Sequence, residues 1–106
     1  MPENVLVLST AGSKEEARQI ADALVEGELA ACVNIIGPVE SVFRWKGQVD
    51  FATEFQLVIK TLAEKFNQVR DCIAQNNTYE LPECIEVPIS SGSEAYLKWI
   101  TESVKK

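Results

Sequence analysis

The sequence predicts an α+β sandwich built on an antiparallel sheet. Three observations carry this prediction. Short β-rich runs alternate with two amphipathic helical patterns, the elements follow the order β-α-β-β-α-β, and a further helical pattern ends the chain. Two right-handed βαβ halves that share one sheet form the ferredoxin-like fold. The length and the lack of an internal linker predict a single domain over residues 1–106.

The first predicted elements are a strand and a capped helix. The run NVLVLSTA at 4–11 is short and β-rich, as in a buried strand. Ser13 and Glu16 then have the spacing of a capping box, in which each side chain bonds the backbone N–H of the other residue. Apolar residues recur behind them at helical spacing, and Gly27 is well placed to end the helix.

The next two strands are predicted to form one very long hairpin. The run LAACVNII begins the first arm, Gly37-Pro38 interrupts it, and Lys46-Gly47 supplies a tight turn. The second arm alternates strictly between apolar and polar residues, as a half-buried strand does. The arms, 30–45 and 48–60, are two to three times the usual length of about 5–6 residues. The hairpin should therefore extend well beyond its neighbouring strands.

The outer part of this hairpin carries Phe43, Trp45, Val49 and Phe51 at alternating positions, which predicts one aromatic face. An exposed aromatic hairpin is an aggregation hazard unless something covers it. The terminal helix could fold over it, but the pattern favours self-association through the hairpin.

The second half of the chain repeats the helix-strand pattern. The run TLAE at 61–64 has capping-box spacing and predicts the start of an amphipathic helix. The run CIEVPI at 84–89 predicts a strand, and Pro88 places that strand at a sheet edge or a bulge because proline has no N–H. The run SGSEAYLKWITESV at 91–104 predicts the closing helix.

Composition and charge exclude several classes of function. A net charge of −6 argues against nucleic acid and anionic membranes as partners. The absence of histidine excludes Ser-His-Asp and Cys-His catalysis and imidazole metal ligands. There is no apolar run of membrane-spanning length and no basic leader, so we expect a cytoplasmic protein. Cys32, Cys72 and Cys84 lack C-x-x-C spacing and lie among apolar residues, which predicts buried, inert thiols.

Five runs spread over nearly the whole chain carry a family resemblance. LVEGELAACVNII, SVFRWKG, FQLVIKT, YELPECIEVPI and AYLKWI, in this order, resemble the CutA divalent-ion tolerance proteins. The resemblance implies a ferredoxin-like subunit in a tight homotrimer, with the long hairpins of neighbouring subunits packed together. It also implies a cytoplasmic role in tolerance of copper and other divalent cations, without firmly established enzymatic activity. Cu(II) or another divalent cation is the one cofactor that it suggests.

The resemblance also locates the family's metal ligands. Metal-binding members carry tandem histidines just before the tyrosine of the segment NNTYELPE and a cysteine in the first strand; the matching residues here are Asn76, Asn77 and Ser9. Amide and hydroxyl oxygens are poor ligands for Cu(II), which argues against direct copper binding at the family's site. Cys72, one helical turn before Asn76, is the remaining soft donor for a weaker candidate copper site.

Polar positions that recur in the family motifs form a second candidate site, in a cleft between subunits. These residues are Lys60, Tyr79, Glu80 and Glu83, together with Trp45. In a pocket for a cation or small ligand, Lys60 would supply a charge, Tyr79 an O–H donor and Glu83 a carboxylate. Alternatively, the same groups hold the trimer together, with Lys60 paired to a glutamate and Tyr79 capping the connector.

The sequence favours a non-enzymatic, trimeric CutA-like protein and leaves alternatives open. One is a small-effector-binding signalling protein like the PII proteins, although no Gly-rich loop or arginine cluster is present. Another is a trimeric scaffold for an unidentified protein partner. Catalysis like that of ferredoxin-like acylphosphatases would need an arginine near the end of the first strand, where Ser9-Thr10-Ala11-Gly12 stands. A cysteine nucleophile would lack its histidine base, so no enzyme is predicted.

Overall fold

A computed structural model describes residues 3–104; the two residues at each end of the predicted domain lie outside this range. The elements are β1 (Asn4–Ala11), α1 (Lys14–Glu26), β2 (Cys32–Trp45), β3 (Gln48–Leu62), a 3-10 helix (Ala63–Lys65), α2 (Phe66–Asn76), β4 (Ile85–Pro88) and α3 (Glu94–Ser103). The predicted α+β class and element order are confirmed.

The four strands form one antiparallel sheet in the order β2-β3-β1-β4. β1 lies between β3 and β4, with Asn4 opposite Leu62 and Val5 opposite Pro88. β1 and β2 therefore run parallel with β3 between them, which is the split βαβ arrangement of the ferredoxin-like fold. β4 is an edge strand, as predicted from Pro88, whose missing N–H interrupts no ladder there.

The core lies where β1 and β3 meet α1 and α2. Alternate residues of β1 are fully buried, as the period-two pattern predicts. The cluster consists of Val5, Val7, Ala11, Ala17, Ile20, Leu24, Ala30, Leu57, Ile59, Val69 and Ile73. Ser9, in the same buried row of β1, is a polar exception.

The closing helix α3 packs against the start of β1. The connector that precedes β4 lies at the opposite end of this strand. Asn4 Nδ2 donates to the Leu97 carbonyl and to Thr101 Oγ1, both at 3.3 Å. Ile100, a residue of this helix, is fully buried. The outer hairpin remains exposed, so the alternative in which this helix covers the hairpin is wrong. Within residues 3–104, no helix has the length and apolar character needed to cross a membrane.

The first capping box is half formed. Ser13 Oγ accepts a hydrogen bond from the Glu16 N–H at 3.1 Å and starts α1, and Gly27 caps its C-terminus. Within residues 3–104, the Ser13 N–H donates no reciprocal bond to the Glu16 carboxylate, and Glu16 Oε2 is buried without a hydrogen-bond partner.

The second predicted capping box is wrong. Thr61 belongs to β3, opposite Val5, and its buried hydroxyl donates to the Leu29 carbonyl at 2.6 Å. The hydroxyl is therefore not available to cap a helix. The chain instead passes through the 3-10 helix, and α2 begins at Phe66 without a side-chain cap.

The overlong hairpin is confirmed, with arms of 14 and 15 residues. Lys46 and Gly47 form the predicted turn, with φ values of 51° and 81°. Positive φ at both central residues is the type I′ pattern, whose twist suits a two-residue hairpin. The register shifts between Ile36 and Val39, at the predicted Gly37-Pro38 interruption.

The hairpin does not have a single aromatic face. The two-residue turn pairs Trp45 with Gln48, so odd-numbered residues of β2 oppose even-numbered residues of β3. Paired residues share a side of the sheet. Phe43 and Trp45 therefore lie on one side, and Val49 and Phe51 lie on the other. We call the Phe43 side the inner side and the Phe51 side the outer side.

Candidate functional site

An open groove of ≈ 820 Å³ runs along the inner side of the hairpin, bounded by the connector at 77–84 between α2 and β4. We call it the hairpin groove. The hairpin contributes Phe43, Trp45 and Glu54 to its walls, and the connector contributes Tyr79, Glu80 and Glu83. The structure thus unites four of the five predicted cleft residues and adds Glu54.

A buried carboxylate and a tyrosine form the polar centre of the groove. Tyr79 Oη donates to Glu54 Oε2 at 2.7 Å, and Glu54 is only 9% exposed. No residue of 3–104 donates to the other oxygen, Glu54 Oε1. Burial, then the hydrogen bond to Glu54, then the charges of Glu54 and Glu16 raise the pKa of Tyr79 above its usual range. Tyr79 is therefore a hydrogen-bond donor at neutral pH.

The connector is held in place by Asn77 and by the close approach of Gly12. Asn77 Nδ2 donates to the Thr10 carbonyl at 3.0 Å, and Asn77 Oδ1 accepts from the Tyr79 N–H at 2.8 Å, forming an Asx turn. A Cβ at Gly12 would lie 3.3 Å from Tyr79 Oη. The glycine therefore leaves the space in which the tyrosine hydroxyl reaches Glu54.

Glu83 adds a partly buried carboxylate to the same groove as the buried Glu54. Its backbone carbonyl accepts from Ser9 Oγ at 2.8 Å, which ties the end of the connector to β1. Burial, and secondarily the charge of Glu54, raises the pKa of Glu83 above its ordinary value. The two carboxylates give this end of the groove a negative electrostatic potential.

The three positions that match the family's metal ligands all have structural roles here. Ser9 and Asn77 bond the backbone as described above, and Asn76 Nδ2 donates to the Cys72 carbonyl at 2.8 Å. Asn76 Nδ2 also lies 3.8 Å from Cys72 Sγ, as the one-turn spacing predicts. Burial raises the pKa of Cys72, which favours the thiol over the thiolate that metals bind. Within the described residues no group of three or more Cys, Asp or Glu could hold a metal ion.

All three cysteines are free thiols. They are half-buried, whereas the sequence predicted buried thiols. Cys72 and Cys84 pack at the margin of the core rather than inside it. Burial also raises the pKa of Cys84, so an inert thiol is expected there as well.

Lys60 lies outside the groove. Its Nζ donates to Asn34 Oδ1 and approaches Cys32 Sγ at 3.9 Å. Lys60 and Glu54 are six positions apart on β3, which corresponds to about 20 Å. One chain therefore does not bring Lys60 to Tyr79, and among residues 3–104 it forms no ion pair with a glutamate.

An ammonium group of the chain itself lies beside the groove, against two of its lining residues. Lys46 Nζ lies over the Trp45 ring, 5.7 Å from its centroid, and 3.7 Å from Glu80 Oε1. The sequence does not single out Lys46 or Glu54, because Lys46 is an ordinary turn residue and Glu54 is one of several polar residues on an alternating strand. Only the packing of the connector against β3 distinguishes Glu54 from its neighbours.

Comparisons with known proteins agree with this architecture. Residues 5–103 match the model of a family described as CutA1 divalent ion tolerance protein. The divalent-cation tolerance protein CutA of Archaeoglobus fulgidus is 46% identical over 96 residues, which are 91% of this chain and 93% of that protein. The chloroplastic protein CutA of Arabidopsis thaliana is 35% identical over 96% of this chain, which spans 56% of the plant protein.

Solved structures give the same result. The divalent cation tolerance protein of Thermus thermophilus superposes with a TM-score of 0.94 at 39% identity, over 96% of this chain and 99% of that one. The Archaeoglobus fulgidus structure, described as a periplasmic divalent cation tolerance protein CutA, superposes with a TM-score of 0.93 at 43% identity, over 96% and 99% of the two chains.

Proposed function

The chain belongs to the CutA1 family of divalent ion tolerance proteins, and we propose that it acts as a non-enzymatic homotrimer that binds a cation or small ligand in the hairpin groove. The observation that carries the proposal is Glu54, a nine-tenths buried carboxylate that borders an open groove and keeps one oxygen without a donor from the described residues. Ligand sites are typically concave and partly apolar, with a few well-placed polar groups.

The outer side of the hairpin supports self-association. Val42, Val49 and Phe51 are 74%, 67% and 79% exposed and lie on one side of the paired arms. Single chains rarely leave such an apolar patch on an extended hairpin, because it invites pairing with other chains. A closed homotrimer, which the motif resemblance implies, would cover the patch by symmetric contacts.

The groove, rather than the family's copper position, is the proposed binding site. The nitrogen and the oxygen of the Asn77 side-chain amide both bond the backbone, and Ser9 Oγ donates to a backbone carbonyl. These contacts give both side chains structural roles, and neutral hydroxyl and amide oxygens are poor ligands for Cu(II). A Cu(II) site centred on Cys72 is the alternative metal hypothesis, and a Cys72→Ser variant separates it from binding at Glu54.

Two features support a non-enzymatic role. Burial raises the pKa of the Cys72 and Cys84 thiols, which disfavours a nucleophilic thiolate. The chain also contains no histidine to act as a general base. We expect no turnover of acyl phosphates or esters by the purified protein, and turnover that survives repurification would contradict this.

We also propose a cytoplasmic location. The three free thiols fit a reducing compartment. The relatives are described variously, one as periplasmic and one as chloroplastic, so cell fractionation is the appropriate test.

Native mass spectrometry of the reduced protein tests assembly and binding together. We expect a species of three times the 11.7 kDa chain mass, which takes up cations or small ligands in steps of three. The spectra are recorded alone and with sub-stoichiometric Cu(II), Ca²⁺ or Mg²⁺, for the unsubstituted chain, Glu54→Gln and Cys72→Ser. A monomer contradicts the assembly, and a trimer that takes up no ligand contradicts the binding role.

A further inference from the structure

We propose that the hairpin groove is built for an aliphatic polyamine, an extended organic cation with several ammonium groups. This inference rests on the proposed function and specifies the ligand class for the same groove. Three features of the groove lead to it: its charge, its aromatic walls and the spacing of its carboxylates.

The charge of the groove is predominantly negative. Four carboxylates border it, those of Asp50, Glu54, Glu80 and Glu83. Arg44 also borders it, but its Nη1 donates to the Gly47 carbonyl at 3.4 Å. Among residues 3–104, no lysine or arginine forms an ion pair or hydrogen bond with Glu54 or Glu83. A cationic ligand would therefore supply charge that the chain does not provide itself.

The aromatic walls favour an organic cation. Phe43, Trp45 and Tyr79 border the groove, and an ammonium group within about 6 Å of such a ring is attracted by its π system. The chain already contains one example, because Lys46 Nζ lies 5.7 Å from the Trp45 centroid and 3.7 Å from Glu80 Oε1. A ligand ammonium can replace Lys46 Nζ in this position between an aromatic ring and a carboxylate.

The spacing of the carboxylates suits an extended cation better than a metal ion. Asp50 and Glu54 are four positions apart on the same side of β3, about 13 Å. A bound Ca²⁺ or Mg²⁺ needs about six or more oxygens within roughly 2.0–2.6 Å. In residues 3–104 no group of three acidic or thiol side chains converges in this way. Isolated carboxylates along a groove match the separated ammonium groups of a polyamine.

Isothermal titration calorimetry of the full chain tests this with spermidine as the probe. We expect spermidine to bind, the neutral chain 1,8-octanediol not to bind, and Glu54→Gln to weaken spermidine binding about tenfold, the effect of losing one charge-assisted contact. The amide oxygen of the substituted side chain can still accept the Tyr79 hydrogen bond, which preserves the fold. Glu64→Gln is the matched control, because it removes the same charge from an exposed position outside the groove.

A second variant probes the same site from the opposite direction. Lys46→Gln removes the internal ammonium that competes for Trp45 and Glu80, so we expect it to strengthen spermidine binding severalfold. Binding that weakens equally in Glu54→Gln and Glu64→Gln would indicate screening by the whole acidic surface and would overturn the inference.

The outcomes separate this inference from the proposed function. If spermidine does not bind but Cu(II), Ca²⁺ or Mg²⁺ binds and is lost in Glu54→Gln, the polyamine inference fails and the groove remains a cation site. If none of these cations binds, the polyamine inference and the proposed cation site in the groove both fail. Binding of 1,8-octanediol as tight as that of spermidine would also overturn the inference, because charge would then play no part.

Discussion

At the scale of single residues, the contact between Tyr79 and Glu54 determines the chemistry of the groove. A carboxylate that is 9% exposed requires a hydrogen-bond donor, because burying an unpaired charge is costly. The tyrosine hydroxyl is the donor that the described structure provides, at 2.7 Å. Asn77 and Gly12 matter because they put that hydroxyl in place.

Tyr79→Phe should therefore destabilise the protein by about 1–3 kcal/mol at neutral pH, the cost of leaving a buried acceptor without its donor. Urea unfolding at a fixed protein concentration measures this. Tyr96→Phe is the control. The exposed Tyr96 ring packs at a tilt against Trp99, with centroids 5.3 Å apart, and its hydroxyl has no hydrogen bond within residues 3–104. Equal losses in the two variants would show that the Tyr79 hydroxyl has no special role.

Glu83 predicts a pH dependence of stability. Its pKa is raised in the folded chain by burial and by the charge of Glu54. Between the ordinary and the raised pKa, the folded state therefore keeps a proton that the unfolded state has released. Stability contributed by this group therefore falls as the pH rises from the ordinary glutamate pKa of about 4.3 through the raised value, and stays lower above it.

Glu83→Gln removes this group from the titration. Compared with the unsubstituted chain, the variant should gain thermal stability as the pH increases from about 4 to about 7, and the two should converge at the acidic end. Thermal midpoints across this range, with Glu64→Gln as the control, test the sign. A variant that instead loses stability with increasing pH would contradict it.

At the scale of elements, two stretches with the same capping pattern form different structures. Ser13 caps α1 by accepting from the Glu16 N–H, whereas Thr61 is part of β3 and donates to the Leu29 carbonyl. The difference arises because Thr61 lies in the buried row of β3, where an unpaired hydroxyl would be costly. A local motif thus predicts a cap only where tertiary packing does not commit its side chain to another hydrogen bond.

Ser13→Ala should cost about 1 kcal/mol, because the first turn of α1 loses its side-chain acceptor. Ser93 occupies the equivalent position before α3 but makes no capping bond, so Ser93→Ala should change stability by less than about 0.5 kcal/mol. Chemical denaturation of both variants makes the comparison. Similar costs for both would mean that the Ser13 contact contributes nothing specific.

At the scale of the whole molecule, the hairpin offers two different surfaces. Its inner side, with Phe43 and Trp45, borders the acidic groove, and its outer side presents Val49 and Phe51 to solvent. The chain measures 44 × 26 × 22 Å, an elongated shape for 106 residues. In the proposed function, the outer side would serve assembly and the inner side would serve binding.

Phe51→Glu should therefore disrupt the proposed trimer, because it places a charge within the buried apolar contact. Sedimentation equilibrium should give a mass near that of one 11.7 kDa chain for the variant and three times that mass for the unsubstituted protein. Val25→Glu, an exposed apolar position on α1 away from the hairpin, is the control and should remain trimeric. Dissociation of the control alone would place the interface elsewhere.

The sequence by itself determined the order of the elements, the length of the hairpin, its turn, the first helix cap and the edge position of β4. These features depend on residues close together in the chain: the alternation of β3, the left-handed turn at Lys46-Gly47, and a proline that cannot donate. Local stereochemistry is sufficient for each of them.

The tertiary structure decided which side chains meet. The placement of Phe43 and Phe51 on opposite sides is not such a case, because it follows from the two-residue turn that the sequence predicts. Glu54 and Tyr79 meet across 25 positions of the chain, whereas Lys60, six positions from Glu54 on the same strand, stays about 20 Å away. The contact between Glu54 and Tyr79 depends on the packing of the connector against β3, which is not encoded in the type or spacing of nearby residues.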